Sequence, residues 1–315
     1  MAARDEKLRK AREVSWRALG KNITFFLPGM FSCCGVSGKY PALSITGSDC
    51  ALQCEHCKAT LLETMIKAST PEMLLEKCLR LSGKGNHGVL LSGGCDESGQ
   101  LPWERFIPTI QKIKEKTNLF LSIHCGLVDD QQAQQLRDAG VDQALIDVIG
   151  DDETYQSIYH VAFGVSRILD SLGSLQKVGL PVIPHVVCGI HFGRMKGERR
   201  AVEMISRFDV EQMVIVSLMN TRRTPLWKVA PPRAEEVADI IAEAKLKMPA
   251  VPVSLGCARE RGNLEMELLA IDAGINRMAL PSEEAVKRAE AYGLQIHYQK
   301  TCCSLPGSFP CETWQ

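Results

Sequence analysis

Leu43-Ser-Ile-Thr46 is a short apolar, β-branched run that passes directly into the polar loop Gly47-Ser-Asp-Cys50-Ala-Leu-Gln-Cys54-Glu-His-Cys57. A strand that ends in a chemically loaded loop, followed by a helical pattern, is one unit of an alternating strand–helix chain. Outward from this stretch the unit recurs. Candidate strands are Leu43–Thr46, Gly88–Ser92, Leu119–His124, Gln143–Val148, Val182–Gly189, Gln212–Leu218, Val251–Leu255 and Asn276–Leu280. Between them run helices with ordinary start and stop signals: Thr70-Pro71 opens Glu72 to Leu81, Gly140 closes the segment from Asp130, and Pro281-Ser282 precedes Glu283 to Tyr292.

Such alternation implies a parallel sheet, and eight units in order predict a closed (β/α)8 barrel of the TIM type, with a partial six-unit (β/α)6 barrel as the runner-up. The expected division is an N-terminal extension over 1–40, a barrel over 41–292, and a cysteine-bearing tail over 293–315 that packs on the barrel. The extension opens with a charged amphipathic helix from about Asp5 to Gly20. In a β/α barrel the active site lies where the strands end at their carboxyl side. Ser92-Gly93-Gly94-Cys95, His124-Cys125, Asp147, His185, Gly189, His191, Ser217 to Arg222 and Ser254 to Arg261 all fall at or just beyond expected strand ends, consistent with one shared mouth.

Composition narrows the function classes. Lys plus Arg equals Asp plus Glu at 37 each, so no overall field draws in a polyanion and nucleic acid is an unexpected partner. No window approaches the roughly 18 consecutive apolar residues of a membrane span, and the charged start is no secretory signal. A soluble, cytoplasmic protein is expected. The 13 cysteines of this long chain are clustered rather than spread, which in a reducing compartment points to metal rather than disulfides.

Cys50, Cys54 and Cys57, at spacings of four and three residues, can converge on a cube of iron and sulfide and leave one iron without a protein ligand. A zinc knot is the alternative, but it wants a fourth nearby ligand, and His56 abuts Cys57. Cys-x3-Cys-x2-Cys after the first strand of a β/α barrel resembles the radical S-adenosylmethionine superfamily. The resemblance implies a four-iron four-sulfur cluster whose open iron takes S-adenosylmethionine, an electron donor such as ferredoxin or flavodoxin, and a cofactor pocket built along the strand ends. Ser92-Gly93-Gly94 resembles the superfamily's Gly-Gly-Glu element, with Cys95 where a Glu is usual; His56 departs from a usual aromatic. Val187 to Gly193, with Gly189 and His191, resembles the element along the adenine. Asp147 is a candidate partner for a ribose hydroxyl, and Arg259 a weaker candidate for a carboxylate. A loop or capping role is the competing reading for each of these polar residues.

Cys78 in a helical pattern and Cys188 in an apolar strand read as small core residues. Cys33 and Cys34 before the barrel, with Cys302, Cys303 and Cys311 after it, are candidate ligands of a second, auxiliary four-iron four-sulfur cluster, formed where the two chain ends fold together over an opening. The competing reading is that these are incidental or redox-sensitive thiols. From the barrel onward the chain resembles the biotin synthase and lipoyl synthase branch. Ser44 to Cys50, Leu90 to Cys95, Ala144 to Gly150, Ile183 to Val187 and Ser254 to Arg259 look most like a subunit of the split, two-protein lipoyl synthase. That implies sulfur insertion into an octanoyl chain carried on a protein or peptide, a partner radical subunit, and sulfur drawn from the auxiliary cluster. The Cys-x4-Cys-x5-Cys and Arg-Ser-Ser-Tyr of single-chain lipoyl synthases are absent. The rivals are another radical reaction, such as a biotin synthase-like one or a small-molecule methylation or rearrangement, and a non-catalytic iron-sulfur or zinc scaffold.

Overall fold

The computed structural model describes residues 2–33, 35–306, 309, 311 and 312. The chain opens with α1 (Ala2–Leu19), β1 (Asn22–Phe26) and the hairpin strands β2 (Ser32–Cys33) and β3 (Val36–Ser37). Then follow β4 (Ala42–Ser44), α2 (Thr60–Glu63), β5 (Ile66–Lys67), α3 (Pro71–Gly83), β6 (Gly88–Ser92), α4 (Ile107–Lys116), β7 (Phe120–His124) and α5 (Asp130–Asp138). The second half comprises β8 (Gln143–Asp147), α6 (Asp152–Tyr159), α7 (Ser166–Lys177), β9 (Val182–Cys188), α8 (Glu198–Ile205), β10 (Met213–Ser217), α9 (Ala234–Lys247), β11 (Val253–Leu255), α10 (Leu264–Asp272), β12 (Arg277–Ala279), α11 (Glu283–Ala291) and β13 (Gln295–Gln299).

Eleven strands form one curled sheet in the order β13-β1-β12-β11-β10-β9-β8-β7-β6-β4-β5, and every pairing in it is parallel. The eight strands read from the sequence are β4 and β6 to β12, in consecutive neighbouring order. They were legible because the strands are covered on both faces: all five residues of β10 and four of five in β8 are buried, so each reads as an apolar run. The helices start where the sequence signals say. Thr70, Asp129, Asp151 and Ser282 each accept a backbone N–H at their helix N-termini.

The barrel differs from the simple eight-unit expectation at its seam. β1, from the segment expected as an outlying extension, inserts between β12 and β13, with Thr24 in register with Arg277 and with His297. The edge strands β5 and β13 are not paired to one another. Lys39 bridges the gap instead, donating its N–H to the Lys300 carbonyl (2.6 Å) and accepting from the His87 N–H (3.0 Å). Glu312 staples the same seam, with Lys39 at 2.9 Å, Lys300 at 3.3 Å and His87 at 2.6 Å. Against the partial burial that would raise it, those hydrogen bonds hold Glu312 down to about 2.

The tail does not merely lie on the barrel. Gln143 donates to the Ser304 carbonyl (3.2 Å), Gln212 to the Cys303 carbonyl (3.0 Å), and Arg277 to the Leu305 carbonyl, so residues 303–305 form a plug at the amino-terminal ends of β8, β10 and β12. Outside the sheet, α1 packs on α9 and α10, with Lys7 bridging Asp239 (2.6 Å) and Glu243 (3.0 Å). Among the described residues no helix is long and apolar enough to cross a membrane.

Candidate active site at the barrel mouth

The loop between β4 and α2 carries Cys50, Cys54 and Cys57, all partly buried. Its winding is tight: Gln53, Lys58 and Ala59 all take left-handed backbone angles, with φ of 45°, 45° and 60°. Non-glycine residues adopt that region only where the surroundings enforce it, which marks this loop as held for a purpose. The enforcing contacts are short. Cys57 and Lys58 donate their N–H groups to the Cys54 carbonyl (3.0 and 2.8 Å), Lys58 Nζ caps the Gln53 carbonyl (2.7 Å), and the Ala51 N–H reaches the Cys95 carbonyl (2.7 Å).

The three thiols lie within electrostatic reach of one another. Burial and the neighbouring sulfurs of Cys50, Cys57 and Cys95 push the Cys54 thiol far above its ordinary range, and burial raises Cys57. Thiols that oppose one another's ionisation in this way are relieved by a shared cation, which takes them as thiolates.

Gly94 explains how β6 serves the loop. A Cβ there would lie 2.5 Å from the Cα of Cys50, so only glycine lets the end of β6 pass beneath the cysteine loop. Its N–H donates to Thr46 Oγ1 at 2.7 Å. Ser92 and Gly93 instead line a cavity of about 280 Å³ together with Cys57, His56, Asp147 and Val187. His56 occupies the place of the usual aromatic and behaves as one. Burial lowers it to about 4, keeping the ring neutral, and it packs 5.2 Å from the Tyr159 ring.

Asp147 faces this cavity, as its position at a strand end predicted, but it is not alone. His124 at the end of β7 and His185 in β9 bring ring nitrogens within 4.8 Å of one another and of the Asp147 carboxylate. His185 Nδ1 donates to the Ile183 carbonyl at 3.0 Å, which leaves Nε2 as an acceptor. Burial, then the neighbouring His124, lowers His185 to about 4. Sequence reading put each residue near the mouth without joining them, although equivalent positions on three successive strands were the available signal.

Other expected cofactor residues are placed differently. Gly189 (φ +72°) turns the chain against Pro232, where a Cβ would meet Cδ at 2.6 Å, and its N–H is taken by Glu198 (2.8 Å). His191 turns from the cavity to Thr154 Oγ1 at 3.0 Å, while its neighbour Ile190 lines the wall. Arg259 does not reach the mouth: it is 1% exposed, with its guanidinium spent on Glu267 (2.7 Å) and the carbonyls of Gly256 (2.6 Å) and Leu280 (3.2 Å). A buried arginine must satisfy its donors internally, and this one does so by clamping a loop.

The terminal cysteines separate. Cys303 is buried inside the barrel and Cys302 partly buried beside it. Cys33 sits in the β2–β3 hairpin, and Cys311 is exposed, 3.8 Å from His297 Nδ1. Cys34 lies outside the described residues. Cys78 and Cys188 are buried, as expected of core residues.

The Radical SAM superfamily model matches residues 44–207, from the strand before the cysteine loop to the end of α8. The chain belongs to the radical SAM superfamily. Among its relatives, biotin synthase 2 of Polaromonas sp. strain JS666 is 26% identical over 239 residues, covering 74% of this chain and 69% of that protein. The biotin synthase of Burkholderia cenocepacia strain HI2424 is 27% identical over 249 residues, covering 75% and 70%. Of solved structures, methylornithine synthase superposes with a TM-score of 0.65 at 18% identity, covering 94% of this chain and 89% of that one. The FeFe-hydrogenase maturase HydG of Carboxydothermus hydrogenoformans gives 0.59 at 12%, covering 93% and 72%. At such identities the solved structures show the shared barrel fold. For a radical SAM enzyme the residues fit the group it implies: three thiols on one loop as ligands, and beside them a cavity lined by Ser92, Gly93 and Asp147 for S-adenosylmethionine.

Proposed function

We propose that this radical SAM enzyme inserts sulfur into an octanoyl chain carried on a protein or peptide, as one component of a two-protein lipoyl synthase in a reducing, cytoplasmic setting. The observation that carries the reading is the presence of two cysteine groups, one on the mouth loop at Cys50, Cys54 and Cys57 and one inside the barrel at Cys302 and Cys303. Bound at the mouth, the cluster and S-adenosylmethionine supply a 5′-deoxyadenosyl radical able to take hydrogen from an unactivated carbon. A second cluster held by cysteines of the tail would supply the sulfide for the new carbon–sulfur bond, with its iron taking up the one electron released when the carbon radical captures that sulfide. The biotin synthase relatives support sulfur insertion as the reaction class.

The chain's own residues do the positioning. Gly94 lets the cysteine loop close over β6, and Ser92, Gly93 and Asp147 present polar groups to one side of the cavity. Val187, Ile190, Val216, Leu218 and Met219 line the same cavity, and such apolar side chains suit an acyl chain and help to exclude water from a radical.

The test is anaerobic incubation of the reconstituted protein, with and without its partner subunit, with S-adenosylmethionine, a strong reductant and an octanoyl-lysine peptide, followed by mass spectrometry. Thiolated octanoyl peptide together with 5′-deoxyadenosine is expected. Deoxyadenosine with thiolation of dethiobiotin instead would reassign the reaction to the biotin type, deoxyadenosine without any thiolated product to another radical reaction, and no cleavage of S-adenosylmethionine to a scaffold.

A further inference from the structure

Three thiols from two distant parts of the chain meet inside the barrel, and one of them belongs to neither terminus. Cys257 follows β11, yet its side chain joins Cys302 and Cys303 in an interior group with Phe26, Leu145, Ile183 and Val214. Cys257 and Cys302 pack against the apolar cluster that holds Cys303, and both thiols oppose its ionisation. Cys303 is buried, and Cys257 and Cys302 are partly buried.

Each arm of the group is built. On one arm, Gly256 lets the chain run close along β10, since a Cβ there would lie 2.6 Å from Val216 Cγ1. The Gly256 N–H then donates to the Ile215 carbonyl (2.8 Å), and the Ala258 carbonyl accepts from the Ser217 N–H (3.0 Å). Arg259 and Arg261 hold the same turn through the carbonyls of Gly256 and Cys257, both at 2.6 Å. On the other arm, Gln143, Gln212 and Arg277 pin the carbonyls of Ser304, Cys303 and Leu305, which fixes the tail while its thiols stay inside. Ser304 Oγ donates to Cys302 Sγ at 3.1 Å, a hydrogen bond of the kind that supports a thiolate.

From this geometry we infer that Cys257, Cys302 and Cys303 are ligands of the auxiliary iron-sulfur cluster, and that the cluster sits inside the barrel rather than over an opening at the chain ends. The inference deepens the sulfur-insertion reading and rests on it. Charge supports the placement. Arg261 on the side of the β11 turn and Arg277 on the floor both stand within electrostatic reach of Cys303, and among the described residues neither forms an ion pair. Guanidinium groups placed so offset the negative charge that a set of thiolates brings. Position fits the chemistry as well: Ala258, next in sequence to Cys257, lines the mouth cavity, so the interior group lies directly beyond the cavity wall from the cysteine loop. Cys311, exposed beside His297, is outside the ligand set.

The test uses the full chain with Cys50, Cys54 and Cys57 replaced by alanine, reconstituted anaerobically, and reads iron, sulfide and electron paramagnetic resonance. About four irons are expected to remain. Adding Cys257→Ser or Cys257→Ala is expected to cut that iron at least several-fold or to change the resonance, while Cys311→Ser leaves both unchanged. Circular dichroism and a thermal melt confirm that each variant is folded. A folded Cys257 variant with full iron and an unaltered signal overturns the assignment of Cys257 but leaves the second cluster standing. A triple-alanine protein that holds no iron overturns the sulfur-insertion reading itself.

Discussion

A Cβ on Gly94 would stand 2.5 Å from the Cα of Cys50, so the end of the second barrel strand and the cysteine loop are packed backbone to backbone. Gly94→Ala must therefore push the loop away. Overpacking of this kind costs about 1–3 kcal/mol. The displaced loop is expected to lose most of its iron after reconstitution and to cleave S-adenosylmethionine at least roughly tenfold more slowly, as a shift of about 1.4 kcal/mol in the barrier already gives that factor. Iron content and deoxyadenosine formation check this directly.

Cys54 and Cys78 are both sheltered cysteines, one on the mouth loop and one in the core. Cys54→Ala is expected to abolish deoxyadenosine formation while the protein stays folded. Cys78→Ala, in the middle of α3, is expected to keep activity and to lower stability by about 1 kcal/mol through lost packing. A pair of denaturation curves beside a pair of activity measurements separates the two.

The Arg259–Glu267 pair, 1% and 8% exposed, makes a stability prediction rather than a binding one. Breaking a buried pair by removing one partner strands the other charge and costs about 3–5 kcal/mol. Arg259→Met is expected to lower the unfolding free energy by that order, seen as a lower urea midpoint. Because Arg259 also holds the turn that carries Cys257, auxiliary iron should fall more than mouth iron.

His185 supplies a pH dependence. Its folded pKa of about 4 lies below the ordinary value of 6.5, so the unfolded chain binds a proton that the folded one refuses. The penalty is absent well above pH 6.5, grows as pH falls from 6.5 toward 4, and is constant below. Each unit of difference is worth about 1.4 kcal/mol. His185→Gln is expected to flatten the decline in stability over that window, measured by urea denaturation at several pH values.

Glu312 acts in the other direction of titration. Held at about 2 by Lys39, His87 and Lys300, it adds stability above pH 4.5 that is lost as pH falls through 2. Glu312→Gln should lower the melting temperature at neutral pH, and the gap to the parent should close on acidification below 4.5.

What the sequence disclosed and what it hid follow from the range of the interactions. Leu43 to Thr46, Gly88 to Ser92 and their successors were readable as barrel strands because a doubly covered parallel strand is apolar along its length. Cys50, Cys54 and Cys57 were readable as a motif because their spacing is local. β1 was missed: Asn22 to Phe26 is a short run between a charged helix and the Pro28-Gly29 turn, and only pairing with β12 and β13 makes it a strand. Arg259 could be placed near the mouth by counting, but the sequence cannot state which way its side chain turns, and here Glu267 draws it inward. The meeting of His124 with Asp147 and His185 arises from sheet register, and that of Cys257 with Cys303 from the docking of the tail into the barrel, neither of which any single stretch encodes.

On the proposed function, this enzyme delivers sulfur from its own interior to an octanoyl carbon. The most direct measurement is a single turnover in which protein reconstituted with heavy-isotope sulfide meets octanoyl-lysine peptide, S-adenosylmethionine, reductant and its partner subunit, with the product weighed by mass spectrometry. Thiolated peptide carrying the heavy label, in an amount no greater than the enzyme present, is the predicted result. Thiolated peptide without the label, or deoxyadenosine with no thiolated peptide, contradicts it.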